Sequence, residues 1–154
     1  MRSRALVDTL AAVLLVGCSS DTPVPTAPSS SGATADVRGT WVQTNGDTRT
    51  WVLEQGGIQA GGTASFSQSN HPTVGAVSGT GGVLGALVLD AFRFAETYET
   101  LSIPSQHAPN YCYIDTDGQL AVSRNTMRGT VTETMGCGGV RVSQVTRELV
   151  MQRR

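Results

Sequence analysis

From residue 36 onward, apolar residues occur in short runs that alternate with polar residues and are interrupted by glycine. Trp51 and Leu53 share one face of a predicted strand, and Phe92 and Phe94 share one face of another, with Arg93 between them. A period of two is the pattern of β-strands that bury one face, whereas helical spacing does not recur in this region. The alternation therefore predicts an all-β domain.

Turn-forming dipeptides divide this region into short segments. Glycine pairs and Asn/Asp-containing pairs between apolar runs are typical of β-hairpin turns. We predict hairpin turns at Gly56-Gly57, Gly81-Gly82 and Asp117-Gly118, with further breaks at Arg124-Asn125 and at 136–139. The predicted strands lie near residues 38–45, 49–55, 58–68, 74–80, 83–89, 91–100, 110–116, 119–124, 126–134 and 139–152. Strands joined in sequence by hairpins indicate an up-and-down antiparallel β-barrel of about eight strands, or a sandwich.

Two segments allow their side chains to be assigned to faces. Residues 83–89 are apolar at every position except Gly85, which fits a two-turn helix or a strand covered on both sides, and we favour the strand. Cys112 and Ile114 alternate with Tyr111 and Tyr113, so we expect the cysteine inside and the tyrosines toward solvent.

Residues 1–17 have a different pattern. Arg2 and Arg4 precede an uninterrupted apolar run over 10–16, which is far shorter than the ~20 residues of a membrane-spanning helix and is typical of an export signal. The last residues of the run and Cys18, Leu-Val-Gly-Cys, resemble the lipobox of bacterial lipoproteins, in which signal peptidase II cleaves before a cysteine that carries diacylglycerol.

That resemblance implies how the protein is processed and where it is located. Residues 1–17 would be a signal peptide, and Cys18 would be the lipidated residue. The protein would then lie in the cell envelope and bind the membrane through its lipid anchor. Ser19 resembles the second residue of outer-membrane lipoproteins, where aspartate commonly marks inner-membrane retention, so a cell with two membranes would hold the protein in the outer one. The alternative is a secretory peptide cleaved elsewhere, with Cys18 an ordinary thiol.

Residues 18–35 contain the lipidated cysteine and a linker rich in proline and serine. Such composition buries too little apolar surface to offset chain entropy, so we expect a disordered tether that extends at ~3.1 Å per residue, up to roughly 50 Å. The β-domain then covers 36–154.

The two remaining cysteines, Cys112 and Cys137, form an even pair. In an exported and oxidising environment this predicts a disulfide. The alternative is a metal site that uses these thiols with His71 and His107, but no Cys-x-x-Cys or His-x-x-x-His spacing supports it.

Gly39-Thr40-Trp41 opens the first predicted strand. This tripeptide resembles the Gly-x-Trp of calycin-type barrels, the lipocalin and avidin group. The resemblance implies that Trp41 closes the barrel floor and that an arginine of the last strand, here Arg147, packs across it. The second lipocalin motif, Thr-Asp-Tyr, is absent, and no ligand is carried over from these families.

Charge and motifs exclude several classes of function. Removing 1–17 leaves 9 of the 11 arginines and 11 of the 12 acidic residues, a balance that argues against nucleic acid or a strongly anionic membrane surface as a partner. His71 and His107 lie near prolines and read as solvated loop residues, and no Gly-x-Ser-x-Gly is present. Asp115-Thr116-Asp117-Gly118 lacks the spacing of a calcium loop, and 79–85 lacks that of a dinucleotide loop. Glu96 and Glu99 fall on opposite faces of a strand and cannot act as a catalytic pair.

We therefore predict no catalytic residue, cofactor or metal. Few large apolar residues are available to fill an eight-stranded barrel, so the interior is either underfilled, with an apolar pocket, or a solid core of leucine and valine, and the sequence leaves both open. We expect a lipid-anchored, non-enzymatic envelope protein whose barrel binds a small apolar ligand or an envelope partner. One alternative is a structural or protein-interaction module with a filled core. The other is a hydrolase, which requires a histidine beside a carboxylate and a hydroxyl.

Overall fold

A computed structural model describes residues 34–104 and 111–154. The predicted signal peptide, Cys18, most of the predicted linker and His107 lie outside the described residues. Eight strands form a single closed barrel in which each pairs antiparallel with the next and β8 pairs with β1. The strands are β1 Gly39–Gln43, β2 Thr48–Gly56, β3 Gln59–His71, β4 Gly75–Val88, β5 Ala91–Ser102, β6 Cys112–Ser123, β7 Thr126–Cys137 and β8 Val140–Arg153. The prediction of an all-β, up-and-down antiparallel barrel of eight strands is confirmed, and the architecture agrees with a calycin-like fold.

The predicted turns are confirmed at some sites and wrong at others. The chain does turn between β2 and β3, at Arg124-Asn125 and at Gly138-Gly139. Gly81-Gly82 and Asp117-Gly118 instead lie inside β4 and β6. A Cβ on Gly81 would stand 1.9 Å from the Thr97 carbonyl oxygen, beside an irregularity in the pairing of β4 with β5. These glycines permit close backbone approach in a strongly curved sheet, which a turn signal does not distinguish from a hairpin.

Residues 83–88 are part of β4, which confirms the strand but corrects the expectation that it is covered on both faces. Val83 and Leu87 are buried, while Leu84 and Val88 are exposed on the outside of the barrel.

The two ends of the barrel differ, and we name them by the chain that borders them. The closed end carries residues 34–38 and the turns that follow β2, β4 and β6. The mouth carries the connections that follow β1, β3 and β7, the last residues of β5 and the first residues of β6.

The closed end is sealed by the first described residues. Trp41 is fully buried, and its indole Nε1 donates a hydrogen bond to the Val37 carbonyl oxygen at 2.7 Å. The guanidinium of Arg153 lies 4.8 Å from the centroid of the Trp41 ring. The floor position of Trp41 therefore matches the expectation, but the arginine over it is Arg153 and not Arg147. Register explains the correction, because Trp41 pairs with Arg153, whereas Arg147 pairs with Val131 six residues nearer the mouth.

The middle of the barrel is filled by aromatic rings. Trp51 packs edge-on against Phe94, with ring centroids 4.8 Å apart, and Phe92 stacks on Phe94 at 5.8 Å. The residues that pair in register beside Trp51 are small, Ala64 on β3 and then Gly81 on β4. Small residues on two strands thus leave room for large rings from β2 and β5.

The predicted disulfide is present between Cys112 and Cys137. These residues face each other in register across β6 and β7 at the mouth. Ile114 is buried with Cys112, while Tyr111 is exposed and Tyr113 is half-buried, so the expected assignment of faces is confirmed.

Candidate functional site

Three polar side chains lie side by side on the inner face of the barrel. Glu96 on β5 pairs in register with Thr116 on β6, and Thr116 pairs in turn with Glu133 on β7. All three are buried. Inward-facing carboxylates are expensive to bury without a partner, so their neighbours determine what this surface can do.

The partner comes from the opposite wall. Arg49 on β2 is 1% exposed and reaches across the interior, with its Nη2 2.9 Å from Glu133 Oε2 and its Nε 3.3 Å from Glu96 Oε2. A single buried guanidinium therefore bridges two carboxylates on β5 and β7. Its planar arrangement of donors suits this geometry better than the point charge of a lysine would.

A second arginine carries the network toward the mouth. Arg147 Nη2 lies 2.7 Å from the same Glu133 oxygen, and Arg147 Nη1 lies 2.6 Å from Asp47 Oδ2. The side chains of Arg147 and Asp47 are each 22% exposed, in contrast to those of Arg49 and Glu96. We call Asp47, Arg49, Glu96, Glu133 and Arg147 the charged cluster. It is continuous from the sealed middle of the barrel to solvent at the mouth.

Glu96 is also held by two neutral donors. Its Oε1 accepts hydrogen bonds from Trp51 Nε1 and from the Tyr98 hydroxyl. Burial raises the pKa of Glu96 above its ordinary value, although Arg49 and the two donors oppose the rise. Burial also raises the pKa of Tyr98, and the neighbouring Glu96 charge adds to that effect.

Burial and the neighbouring carboxylates act on the pKa of Arg49 in opposite directions. Burial alone would lower the pKa of Arg49, but the Glu96 and Glu133 carboxylates outweigh it and the net pKa is raised. Arg49 therefore stays charged, and the cluster depends on that charge.

His71 differs from its expectation. It is the last residue of β3 and is buried at the mouth, next to a register irregularity after Gln68, so the solvated-loop prediction is wrong. Its Nδ1 accepts a hydrogen bond from the Thr73 backbone N–H at 3.2 Å, and its Nε2 lies 3.5 Å from Ser143 Oγ. Burial lowers the pKa of His71.

The contacts of His71 bear directly on hydrolase chemistry. Because Nδ1 accepts a backbone donor, the neutral ring carries its proton on Nε2, the nitrogen nearest Ser143. That nitrogen cannot then accept the Ser143 hydroxyl proton, and Nδ1 has no carboxylate to orient it as in a Ser-His-Asp arrangement. The site brings a histidine and a hydroxyl together in a tautomer unsuited to nucleophilic catalysis.

Several buried polar atoms around the cluster are unpartnered. Among the residues that the structure describes, the side-chain oxygens Gln43 Oε1, Gln68 Oε1 and Thr116 Oγ1 and the guanidinium nitrogens Arg49 Nη1 and Arg147 Nε make no hydrogen bond with protein groups. Most buried polar atoms in folded proteins have partners, so these unpartnered donors and acceptors mark a place where a group that both donates and accepts hydrogen bonds would fit.

The alternation that located the core also contained a signal for these residues. Arg49 is two positions before Trp51 and Glu96 is two after Phe94, so both share the inward face. The prediction that Glu96 and Glu99 point to opposite faces is confirmed, since Glu99 is exposed. The carboxylate that Glu96 approaches through Arg49 is Glu133, which is far away in sequence.

Two further features are absent from the part of the chain that the structure describes. Across residues 34–104 and 111–154 no three His, Cys, Asp or Glu side chains converge as metal ligands, and Asp115 and Asp117 are exposed on β6. Within the same ranges no helix is long and apolar enough to cross a bilayer.

Comparison with known proteins finds no matching family model, no similar curated protein and no similar solved structure.

Proposed function

We propose that this chain is a lipid-anchored protein of the bacterial cell envelope, and that its barrel is non-enzymatic and binds a small amphipathic ligand at the mouth. The lipobox-like sequence ending at Cys18 supports the anchor and the location. The charged cluster that opens at the mouth supports the binding function.

The chemistry of the mouth narrows the ligand class beyond the apolar molecule first expected. Gln43 Oε1 and Gln68 Oε1 are unpartnered acceptors, and Arg49 Nη1 and Arg147 Nε are unpartnered donors, which supports a head group that both donates and accepts hydrogen bonds, as a hydroxyl does. The cluster contains three carboxylates and two arginines, which favours a hydroxyl or amine over an anionic group. Leu101, Ile103 and Val145 are partly accessible in this half of the barrel and offer contact to an apolar portion.

The observation that carries the proposal is a buried ionic network held where apolar packing would serve stability equally well. Replacing buried ion pairs by hydrophobic residues is often neutral or stabilising, so the cluster is weak evidence for a purely structural role.

Native mass spectrometry of the full chain, purified from its own host in mild detergent, tests the binding function. We expect a co-purifying small molecule on the unmodified chain and its loss from Arg147→Gln, which alters the open side of the cluster while Arg49 still pairs with Glu133. The matched control is Arg128→Gln, because the Arg128–Glu148 pair lies on the exposed outer surface. The proposal is contradicted if the unmodified chain, Arg147→Gln and Arg128→Gln all carry the small molecule to the same extent, or if none of them carries it.

The anchor is tested separately by the intact mass of the N-terminal peptide. We expect diacylglycerol on Cys18 and a membrane-associated product, and Cys18→Ser should remain unacylated. An unacylated Cys18 in the unmodified chain contradicts lipid anchoring without affecting the ligand experiment.

A structural or protein-interaction module is the second candidate. The aromatic filling of the middle of the barrel and the exposed Tyr111 at the mouth favour it. A bare barrel in the native mass spectrum would support this candidate.

A further inference from the structure

Two adjacent hairpin tips at the closed end present large apolar side chains to solvent. Ile58 follows β2 and is 55% exposed, and Leu89 follows β4 and is 75% exposed. The tips touch, because the Leu87 backbone N–H donates a hydrogen bond to the Ile58 carbonyl oxygen at 2.7 Å. Val88 and Leu84 extend the exposed apolar surface along the outside of β4. We call Ile58, Leu84, Val88 and Leu89 the tip patch.

The residue at one of these tips is unfavourable for the turn itself. Leu89 has a φ of 60°, a left-handed conformation that glycine, asparagine and aspartate adopt more readily than leucine. Neither the local backbone nor burial explains a leucine here, since the side chain is exposed. The position is thus one where an apolar group is kept despite the turn, which points to a contact outside the barrel.

Charged side chains also border the tip patch. Arg93 pairs in register with Ala86, between Leu84 and Val88, and so flanks the tip patch. Among the described residues, Arg93 and Arg124 at the closed end form no ion pair. Asp90, which follows Leu89, and Glu54, which lies beside Leu84, are also exposed, so charges of both signs border the tip patch. The exposed apolar side chains, and not a net positive charge, therefore favour a lipid surface as the partner.

The described chain enters the barrel at the same end as the tip patch. It begins at Thr34, and the 15 residues that lie between Cys18 and Thr34 limit the distance between those two residues to at most about 55 Å. We infer that the tip patch docks onto the lipid surface of the bilayer that holds the Cys18 anchor, with Ile58 and Leu89 at the headgroup boundary and Arg93 near lipid phosphates. This inference rests on the proposed lipid anchoring.

Tryptophan fluorescence tests the docking on the full lipidated chain. The protein is reconstituted into vesicles of phosphatidylethanolamine and phosphatidylglycerol, with and without bromine on the acyl chains. Leu89→Trp places a reporter in the tip patch, and Val140→Trp is the matched control because Val140 is an exposed apolar residue beside a hairpin turn at the mouth. The signal of the unmodified chain, from the buried Trp41 and Trp51, is subtracted.

We expect the emission of the added tryptophan at position 89 to shift to the blue on reconstitution. The brominated lipid should quench that emission at least twofold more than the emission of the tryptophan at position 140. Ile58→Trp provides an independent reporter, at a position without the left-handed backbone, and should behave like Leu89→Trp. Quenching at 58 and 89 that is equal to or weaker than at 140 overturns the docking inference. Failure of the anchor is recognised separately, as an unacylated Cys18 in the mass spectrum before reconstitution.

Discussion

The interior of the barrel is lined by apolar packing at the closed end and by buried ion pairs toward the mouth. At the closed end, Val37 and Trp41 are fully buried, and one arginine, Arg153, lies over the tryptophan ring. In the half toward the mouth, Arg49 and Arg147 hold Glu133 between them from two different strands. Both regions arise from the same alternation of inward and outward residues, so the pattern of strands does not by itself separate the part that seals the fold from the part that can recognise a molecule.

The difference lies in how each region responds to loss of one member. Apolar packing weakens in proportion to the atoms removed. A buried charged network instead leaves an uncompensated charge when one partner is lost, which is costly even though the intact network adds little stability. A single substitution should therefore lower the free energy of unfolding more at the mouth than at the closed end. Replacing all the charged partners at the mouth together should cost less than replacing one of them.

The largest effect is expected from Arg49→Met, which leaves Glu96 and Glu133 buried without their shared cation. We predict a loss of about 3–5 kcal/mol in the free energy of unfolding, measured by urea denaturation. The control is the triple variant that adds Glu96→Gln and Glu133→Gln, which should recover most of the loss. A loss below about 1 kcal/mol for the single variant, or no recovery in the triple one, would refute the network.

Removing the disulfide should loosen the mouth while the closed end stays intact. The Cys112–Cys137 bond spans 25 residues of sequence. Its removal by Cys112→Ser with Cys137→Ser should lower the free energy of unfolding by about 3.5 kcal/mol in the loop-entropy model. Hydrogen exchange should rise at the mouth ends of β6 and β7 and remain unchanged around Trp41. A uniform rise along the barrel would argue against two separable ends.

A smaller effect should separate the roles of two arginines on β8. Arg153→Gln removes the cation over Trp41, for which we expect a loss of about 0.5–2 kcal/mol and a change in tryptophan emission. Arg147→Gln should leave the Trp41 environment unchanged, because its partners are Asp47 and Glu133. If Arg147→Gln changed the tryptophan emission and Arg153→Gln did not, Arg147 and not Arg153 would be the arginine that packs across Trp41.

The smallest effect concerns pH and His71. Since burial lowers the pKa of His71 from 6.5 in the folded state, folding favours the neutral ring. This contribution to stability is complete above pH 6.5 and is lost as the pH falls below that value. Urea titrations from pH 7.5 downward should show the decline in the unmodified chain and a smaller decline in His71→Gln. Identical profiles would contradict the assignment.

The fold was largely predictable because it depends on local periodicity and turn chemistry. The errors share one cause, since glycine serves both turns and close backbone approach. Gly81 and Gly118 lie within strands because neighbouring carbonyl oxygens leave no room for a Cβ there, a contact made by residues distant in sequence. The same holds for Arg147, whose distance from Trp41 is set by the register of β8 on β1.

The candidate site was harder to predict for a related reason. Alternation places Arg49 and Glu96 inward, but charged residues in such a pattern are normally assigned to solvent. What makes them buried is their pairing across the barrel, including contact between Arg49 and Glu133, which are 84 residues apart. Closure of the barrel creates that contact, and no local feature of the sequence records it.

Hydrogen exchange on the full chain tests most directly whether the mouth is the binding end. Protein as purified from its host is compared with the same protein stripped of small molecules by denaturation and refolding. We predict slower exchange in the purified form at the β2, β7 and β8 backbone beside Arg49, Glu133 and Arg147, and identical rates around Trp41. Equal rates at both ends, or protection confined to the closed end, would contradict a ligand site at the mouth.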